Sequence, residues 1–285
     1  MLCFSRCRVE FSANWDSSDT IYTHTGWVTI DGNHYYLHSG GAIGAKGQDD
    51  DIRVQFKADF DKFKFPAPPT GERCNLAVRA SLRFLDIAPH LITVPAYASI
   101  FRAVSGTAGL SLHAAGRTGT YKSSVAGLCM AHFGAGWDWE HLPGTWKSTS
   151  NFNGEIQFIL KDALFVLDDF VPKGSQSDIQ RAHLDADRIF RGAANNAGRG
   201  RLDKNTQPRA SRPPRCLVYS TGEDLPCGES LQARVWITDY ATGDVNFQKL
   251  VSCSKDAAAG LYAEAMAAFL QWYAANWDRT KRRLA

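Results

Sequence analysis

The sequence predicts an α/β protein, with a largely parallel sheet flanked by helices over residues 108–245 and a small β-rich and helical region before it. Two observations predict the sheet. Apolar runs recur along that stretch, "AGLSLHAA", "ALFVLDDF", "RCLVYSTGE" and "ARVWITDY", and helical or polar segments separate them. Strands that alternate with helices assemble into parallel sheets. A third observation sets the N-terminal region apart: residues 20–66 carry β-type patterns around a hairpin turn signal. The chain has 285 residues, 44% of them hydrophobic and 21% charged, enough for one large or two modest domains.

Taken in order, "TIYTHTGWVTIDGNHYYLHSGGAIG" holds two β-rich runs around Asp31-Gly32, a hairpin signal. "IRVQFKADFDKFKF" alternates apolar and polar residues and is expected to form a half-buried strand. "PAPPTGE", from Pro66, reads as a linker or tight loop. Two helices should follow, one placing Leu76, Leu82, Leu85 and Ile87 at near-helical spacing, the other starting at Pro95 and ending at Gly106. After the first apolar strand, "KSSVAGLCMAHFG" puts Val125, Leu128, Cys129, His132 and Phe133 on one helical face, with Gly134 as its stop. The alanine-rich tail from Lys255 reads as one long helix, with Leu261, Met266, Phe269 and Trp272 as packing residues and a basic end. The expected division is therefore a β-rich region at 1–70, a helical connector at 71–107, the α/β core at 108–245 and a C-terminal helix at 246–285.

Bulk properties exclude several classes. Net charge is +3, from 32 basic and 29 acidic residues, too small by itself to imply a polyanionic partner. No apolar run approaches the roughly 18 residues of a membrane span, so no membrane partner is expected. The start "MLCFSRCRVEF" lacks the apolar centre of a signal peptide. Seven scattered cysteines, Cys3 and Cys7 among them, show no paired CxxC spacing. A reduced, cytoplasmic protein is the expectation.

The stretch "GRTGTYKSS" carries the chemistry. Phosphate-binding loops follow G-x-x-x-x-G-K-[ST] between a buried strand and a helix, so that backbone N–H groups and the helix N-terminus face the phosphates. Here Gly116 opens the loop, Gly119 and Thr120 form its crown, and Lys122, Ser123 and Ser124 begin the helix. Tyr121 stands where the second glycine belongs. Lys122 would reach the β- and γ-phosphates and Ser123 would hold Mg²⁺, which makes ATP and Mg²⁺ the expected ligands. Asp168, 46 residues after Lys122, and Asp169 beside it stand at the end of an apolar strand. In that order Asp168 is a metal acid and Asp169 the group that orients the attacking water, with Glu155 a second candidate base. Ser220, at the end of the next apolar strand, is a candidate sensor of the γ-phosphate.

Residues 181–215 hold nine basic and three acidic residues, a local balance of +6, with eight of the nine basic residues arginine. Arginine suits phosphate forks. Two functions fit this segment, with Arg191, Asn196, Arg199 and Arg201 as candidates. It could track single-stranded nucleic acid, or it could send an arginine into a neighbouring subunit's ATP site. Arg234 is a further finger or γ-phosphate candidate, with a structural ion pair as its alternative.

Together "HTGW", "GRTGTYKSS", "LFVLDDF", "NNAGRGR" and "STGEDLPCGESLQARV" resemble the ATPase domain of plasmid and phage primase–helicase proteins, the domain of unknown function 927, over residues 24–275. The resemblance implies a P-loop ATPase core of the additional-strand, RecA/AAA+-like kind. It also implies translocation on single-stranded or forked DNA, and a homo-oligomer, a hexameric ring. This chain departs from the family in Tyr121 and in Asp169, where glutamate is usual. No primase region is recognised, so the resemblance leaves two expectations, a fragment of a larger protein or a stand-alone helicase, with a primase as a candidate partner. Two other classes fit a phosphate loop: an ATP-binding switch or scaffold with weak turnover, and a small-molecule P-loop kinase. The basic segment favours the motor.

Overall fold

A computed structural model describes residues 20–284 except 57, 107–108, 199, 201–205, 208–209, 229–230 and 232. Cys3 and Cys7 lie outside the described residues. Residues 26–49 form an antiparallel meander, β1 (Gly26–Ile30), β2 (Asn33–His38), β3 (Gly41–Gly44) and β4 (Gly47–Asp49). The β1–β2 turn is the expected one: Asp31 and Gly32 both have positive φ, 49° and 79°, and Ile30 pairs with Asn33. Two left-handed residues match the right-handed twist of the strands they join.

The next segment departs from expectation. Residues 52–65 contribute one isolated bridge, Val54 with Tyr22, and a 3₁₀ turn at Ala58–Lys62. Phe56, Phe60 and Phe63 recur at a helical spacing that the Phe63/Phe65 alternation masks, and all four rings are buried. Phe63 lies 5.0 Å from Trp137 and 6.4 Å from Phe133.

Helix α1 (Gly71–Leu82) buries Ala77, Ala80 and Ser81, whereas Leu76 and Leu82 are exposed. Small residues form the inner face because α1 packs closely on the C-terminal helices. Helix α2 (His90–Val104) starts five residues before Pro95, which lies inside it. The expected start at the proline is thus corrected. The C-terminal segment is three helices, not one: α6 (Phe247–Ala258), α7 (Leu261–Ala275) and α8 (Trp277–Leu284). Gly260, at φ 83°, turns the chain between the first two. Leu261 and Met266 are buried as expected, but Trp272 is exposed.

The main sheet has the order β6-β7-β8-β5-β9, all parallel: β5 (Ser111–Gly116), β6 (Gly144–Thr145), β7 (Leu164–Phe170), β8 (Leu217–Gly222) and β9 (Val235–Tyr240). This is a P-loop α/β core in which an additional strand, β8, separates β5 from β7. The two-residue β6 is too short for any sequence pattern to announce. Helices α2 and α3 (Lys122–Ala131) lie side by side on the sheet. Helix α5 (Gln176–Asn195) covers it where Phe190 and His183 meet Trp146 and Phe170. Helix α4 (Ser150–Ile159) leads into β7.

One hydrophobic core runs through all of these parts. The meander is tied to the turn before β7: the Tyr36 hydroxyl donates to the Asp162 carbonyl at 2.6 Å and the Trp27 N–H to the Asp162 carboxylate at 3.1 Å. Among the described residues no helix is long and apolar enough to cross a membrane.

Burial lowers the pKa of His38, His113 and His132 to about 4. These rings stay neutral in the fold, while an unfolded chain protonates them near pH 6.5. The unfolded state therefore gains protons first as pH falls. The thermal midpoint is expected to drop steadily from pH 6.5 to about 4, and His132→Gln should flatten that slope. A midpoint independent of pH across this window would contradict the buried neutral rings.

Candidate nucleotide-binding site

The loop between β5 and α3 is built on three unusual backbone positions. Gly116 ends β5 with φ 156°, and a Cβ there would lie 2.4 Å from the Tyr240 carbonyl oxygen on β9. Gly119 has open space but φ 84°, so it is needed for its conformation and not for room. Tyr121 precedes α3 at φ 64°, ψ 20°, the left-handed conformation that a glycine adopts freely. A side chain there costs about 1–2 kcal/mol. The chain keeps the shape of a glycine turn and adds a ring to it.

Lys122 is buried although charged. Its ammonium donates to the carbonyl oxygens of Gly116 and Arg117 at 2.7 and 2.8 Å, and to the Thr120 hydroxyl at 3.2 Å. Burial lowers its pKa, and Glu223, Asp168 and Asp169 oppose that shift. The Thr120 hydroxyl donates to the Arg117 carbonyl at 2.8 Å and braces the crown.

Two adjacent acids in a regular strand point to opposite faces. Here β7 carries a bulge between Leu167 and Phe170, with Asp169 at φ 68°. The bulge re-aims one side chain, and both acids come to the loop. The Ser123 hydroxyl donates to Asp168 Oδ1 at 2.8 Å, and the Thr221 hydroxyl donates to the same oxygen. Asp169 Oδ2 lies 2.7 Å from Lys147 Nζ, and the Asp169 N–H donates to Thr221 Oγ1 at 3.3 Å. The Asp169 carboxylate raises the pKa of Lys147. Glu223 accepts from Thr118 of the loop and from Lys173, and both hold its carboxyl below the usual range.

Thr118, Asp169, Thr221 and Glu223 border a cleft of about 730 Å³ together with Tyr121, Lys122, Ser123 and Ser124, a size usual for small-molecule sites; Asp168 lies just behind it, bonded to Ser123 and Thr221. Ser123 Oγ and Asp168 Oδ1 offer hard oxygen donors side by side. That set suits Mg²⁺, which takes one or two protein oxygens and completes its shell with phosphates and water. Among the described residues no group of three or more His, Cys, Asp or Glu side chains could hold a metal without such help.

Other expected residues lie elsewhere. Ser220 faces the other side of β8, where its hydroxyl meets His113 Nδ1 at 3.0 Å and accepts from Trp146 Nε1 at 2.9 Å. The hydroxyl in the cleft belongs to Thr221. Glu155 lies on α4 and pairs with Arg212, bordering a second cleft of about 790 Å³ between α4 and α5. That placement removes it from the loop. Arg234 directly precedes β9, whose Val235 pairs with Ser111 at the start of β5, so it sits at the sheet edge opposite Gly116. Its backbone carbonyl accepts from the Ser111 N–H at 3.1 Å, at the opposite end of β5 from the loop that Gly116 opens. Arg191 is held by Asp187 at 2.6 Å on α5, and Asn196 ends that helix at φ 49°. Arg199 and Arg201 lie outside the described residues. Thr221 and Glu223, both within the "STGE" stretch, line the cleft, and Lys147, outside every motif, pairs with Asp169. Strand alternation signals that only one of Ser220 and Thr221 faces the loop, but not which.

The same fold recurs in a solved helicase, the SCCmec type IV Cch active helicase. It is 13% identical, with a TM-score of 0.54 over 92% of this chain and 48% of that one. JCV helicase and the C-terminal region of NrS-1 match more loosely, at TM-scores of 0.40 and 0.41 and 13% and 12% identity. They cover 75% and 87% of this chain and 61% and 54% of theirs, and carry no argument at that similarity. The chain thus spans about half the length of the Cch helicase. No family model and no curated protein matches it, so kinship with the primase–helicase domain rests on the motifs alone.

Proposed function

We propose that this chain is an ATP-hydrolysing DNA motor of mobile-element replication, working as a ring-shaped oligomer. One observation carries the reading: Lys122 and Ser123 meet Asp168 and Asp169 at one edge of a parallel sheet, with β8 between their strands. The fold shared with a helicase supports the motor over a switch or a kinase.

In this reading the loop N–H groups and Lys122 hold the β- and γ-phosphates, phosphate oxygens replacing the loop oxygens that Lys122 now touches. Ser123 and Asp168 hold Mg²⁺, which when bound offsets the charge on the transferring phosphoryl group. Asp169 orients the attacking water and accepts its proton, for which it must first part from Lys147. Thr221 fixes Asp168 and the Asp169 backbone together and takes the sensing place expected of Ser220. Arg234 and Arg191 serve a neighbouring subunit's site in this reading, which ties full turnover to the ring.

The DNA part of the proposal rests on the basic segment. Each phosphate it neutralises should steepen the fall of log affinity by about 0.9 per log unit of salt on duplex, or roughly 0.7 on single strands. Arg199→Ala with Arg201→Ala is expected to weaken DNA binding and flatten that slope by one to two contacts' worth, with ATP binding by the subunit unchanged. Unchanged DNA affinity, with hydrolysis lost and regained on mixing with Lys122→Ala subunits, would assign the arginines to a finger instead. A double variant with wild-type DNA affinity and turnover would remove this segment from the mechanism.

A further inference from the structure

Among the described residues six Phe, Tyr and Trp side chains are exposed, and three of them, Tyr121, Trp139 and Phe247, line the one cleft that holds the phosphate loop. Trp139 and Phe247 are each 57% exposed and Tyr121 39%. Exposed rings gathered at one concave site signal a flat apolar ligand, because each forfeits the burial it would gain in the core.

The three rings come from different elements. Tyr121 is the residue that replaces the loop glycine, and its left-handed backbone aims the ring out of the loop toward α6. There it meets Phe247, the first residue of that helix, with ring centres 5.6 Å apart and planes inclined by 36°. Trp139 comes from the segment after α3, whose backbone passes so close to Gly127 that a Cβ there would lie 2.6 Å from the Trp139 nitrogen. That approach fixes Trp139 against α3, one turn beyond Ser123 and Ser124. The floor beyond is Leu250 and Val251 of α6. The Ser254 hydroxyl, also in the cleft, donates to the Leu250 carbonyl inside its own helix.

We propose that Tyr121, Phe247 and Trp139 bind the nucleobase by stacking, and that the site therefore accepts nucleoside triphosphates with little regard to the base. This rests on the phosphate-loop reading and extends it to substrate choice. A stacked ring offers a face that every base can use, whereas selection among bases needs buried hydrogen-bonding groups aimed at their edges. The side chains at this end of the cleft are mainly apolar, and the Ser254 proton is already committed. The departure at Tyr121 then has a use: the loop keeps its glycine shape and gains part of the base platform.

The test compares equilibrium binding of ATP, GTP, CTP, UTP and inorganic tripolyphosphate to the whole chain with Mg²⁺ present. The four nucleotides are expected to bind within about tenfold of one another, and tripolyphosphate to bind about 5- to 100-fold more weakly than ATP, the range of one stacked base. Trp139→Ala with Phe247→Ala should bring ATP down to the level of tripolyphosphate and leave tripolyphosphate itself unmoved, which also shows that the loop is still folded. Trp139 emission should be quenched by ATP and not by tripolyphosphate, with the difference gone in Trp139→Phe. Wild-type preference for ATP over GTP by more than about a hundredfold would overturn the proposal, since stacking alone cannot supply it. So would ATP binding no tighter than tripolyphosphate, or a double variant that keeps the wild-type ratio. If neither ATP nor tripolyphosphate binds, the phosphate-loop reading falls and this proposal with it.

Discussion

Lys122→Ala is expected to reduce ATP hydrolysis by about 10²–10³-fold or more, the scale on which preorganised charge at a reacting centre acts. Lys122 is buried inside the loop, and its ammonium already lies within 2.8 Å of two loop carbonyls. Alanine leaves the phosphate charge uncompensated and leaves those oxygens to water. Only loop oxygens lose a partner, while the core beneath α3 is untouched. Circular dichroism and the thermal midpoint should therefore stay close to wild type while nucleotide binding or turnover fails. Full ATPase activity in a clean Lys122→Ala preparation would remove the phosphate loop from the mechanism.

The adjacent acids should separate two functions. Asp168 accepts from both Ser123 and Thr221, so Asp168→Asn removes the negative charge at the metal position and leaves a side chain able to keep part of that network. Mg²⁺-dependent nucleotide binding and hydrolysis should both fail. Asp169→Asn should keep Mg-ATP binding and lose hydrolysis by about 10²–10⁴-fold, the contribution of a positioned general base. Glu155→Gln serves as the control, because Glu155 is bound to Arg212 in the other cleft. If Asp169→Asn hydrolyses normally and Glu155→Gln is inactive, the base is Glu155 and not Asp169. Glu223→Gln tests the remaining carboxylate in the cleft, which is engaged by Thr118 and Lys173.

The strands and the loop are legible in the sequence for a physical reason. Strands buried on both faces read as largely apolar runs: "LFVLDDF" and "LVYSTG" each open on an unbroken one, and Ser111 and His113 interrupt the one in "LSLHAA". A phosphate loop is a local device, so its residues are neighbours in sequence. What is not legible depends on tertiary placement. A bulge that no local pattern encodes lets Asp168 meet Ser123 while Asp169 lines the cleft. Ser220 and Thr221 differ by which face of β8 they occupy, a choice set by His113 and Trp146 on one side and Asp168 on the other. Leu76 and Leu82 have helical spacing, yet α1 turns its alanines inward against α7. The ring of Pro95 suits a first turn, but packing of Ile92, Ala96 and Ile100 carries α2 through it. Lys147 pairs with an acid 22 residues further along the chain, a contact that no spacing rule anticipates.

The steady-state ATPase rate of the wild-type chain, measured with and without single-stranded DNA, tests the central claim most directly. If the protein is a DNA motor, Asp169 must part from Lys147, 2.7 Å away, before it acts on water, and a neighbouring subunit completes the site. DNA that orders the ring should therefore raise the rate, and the stimulation should fade with salt as phosphate contacts are screened. A rate that is measurable but indifferent to DNA, or that appears only when a small-molecule acceptor is added, would contradict the motor.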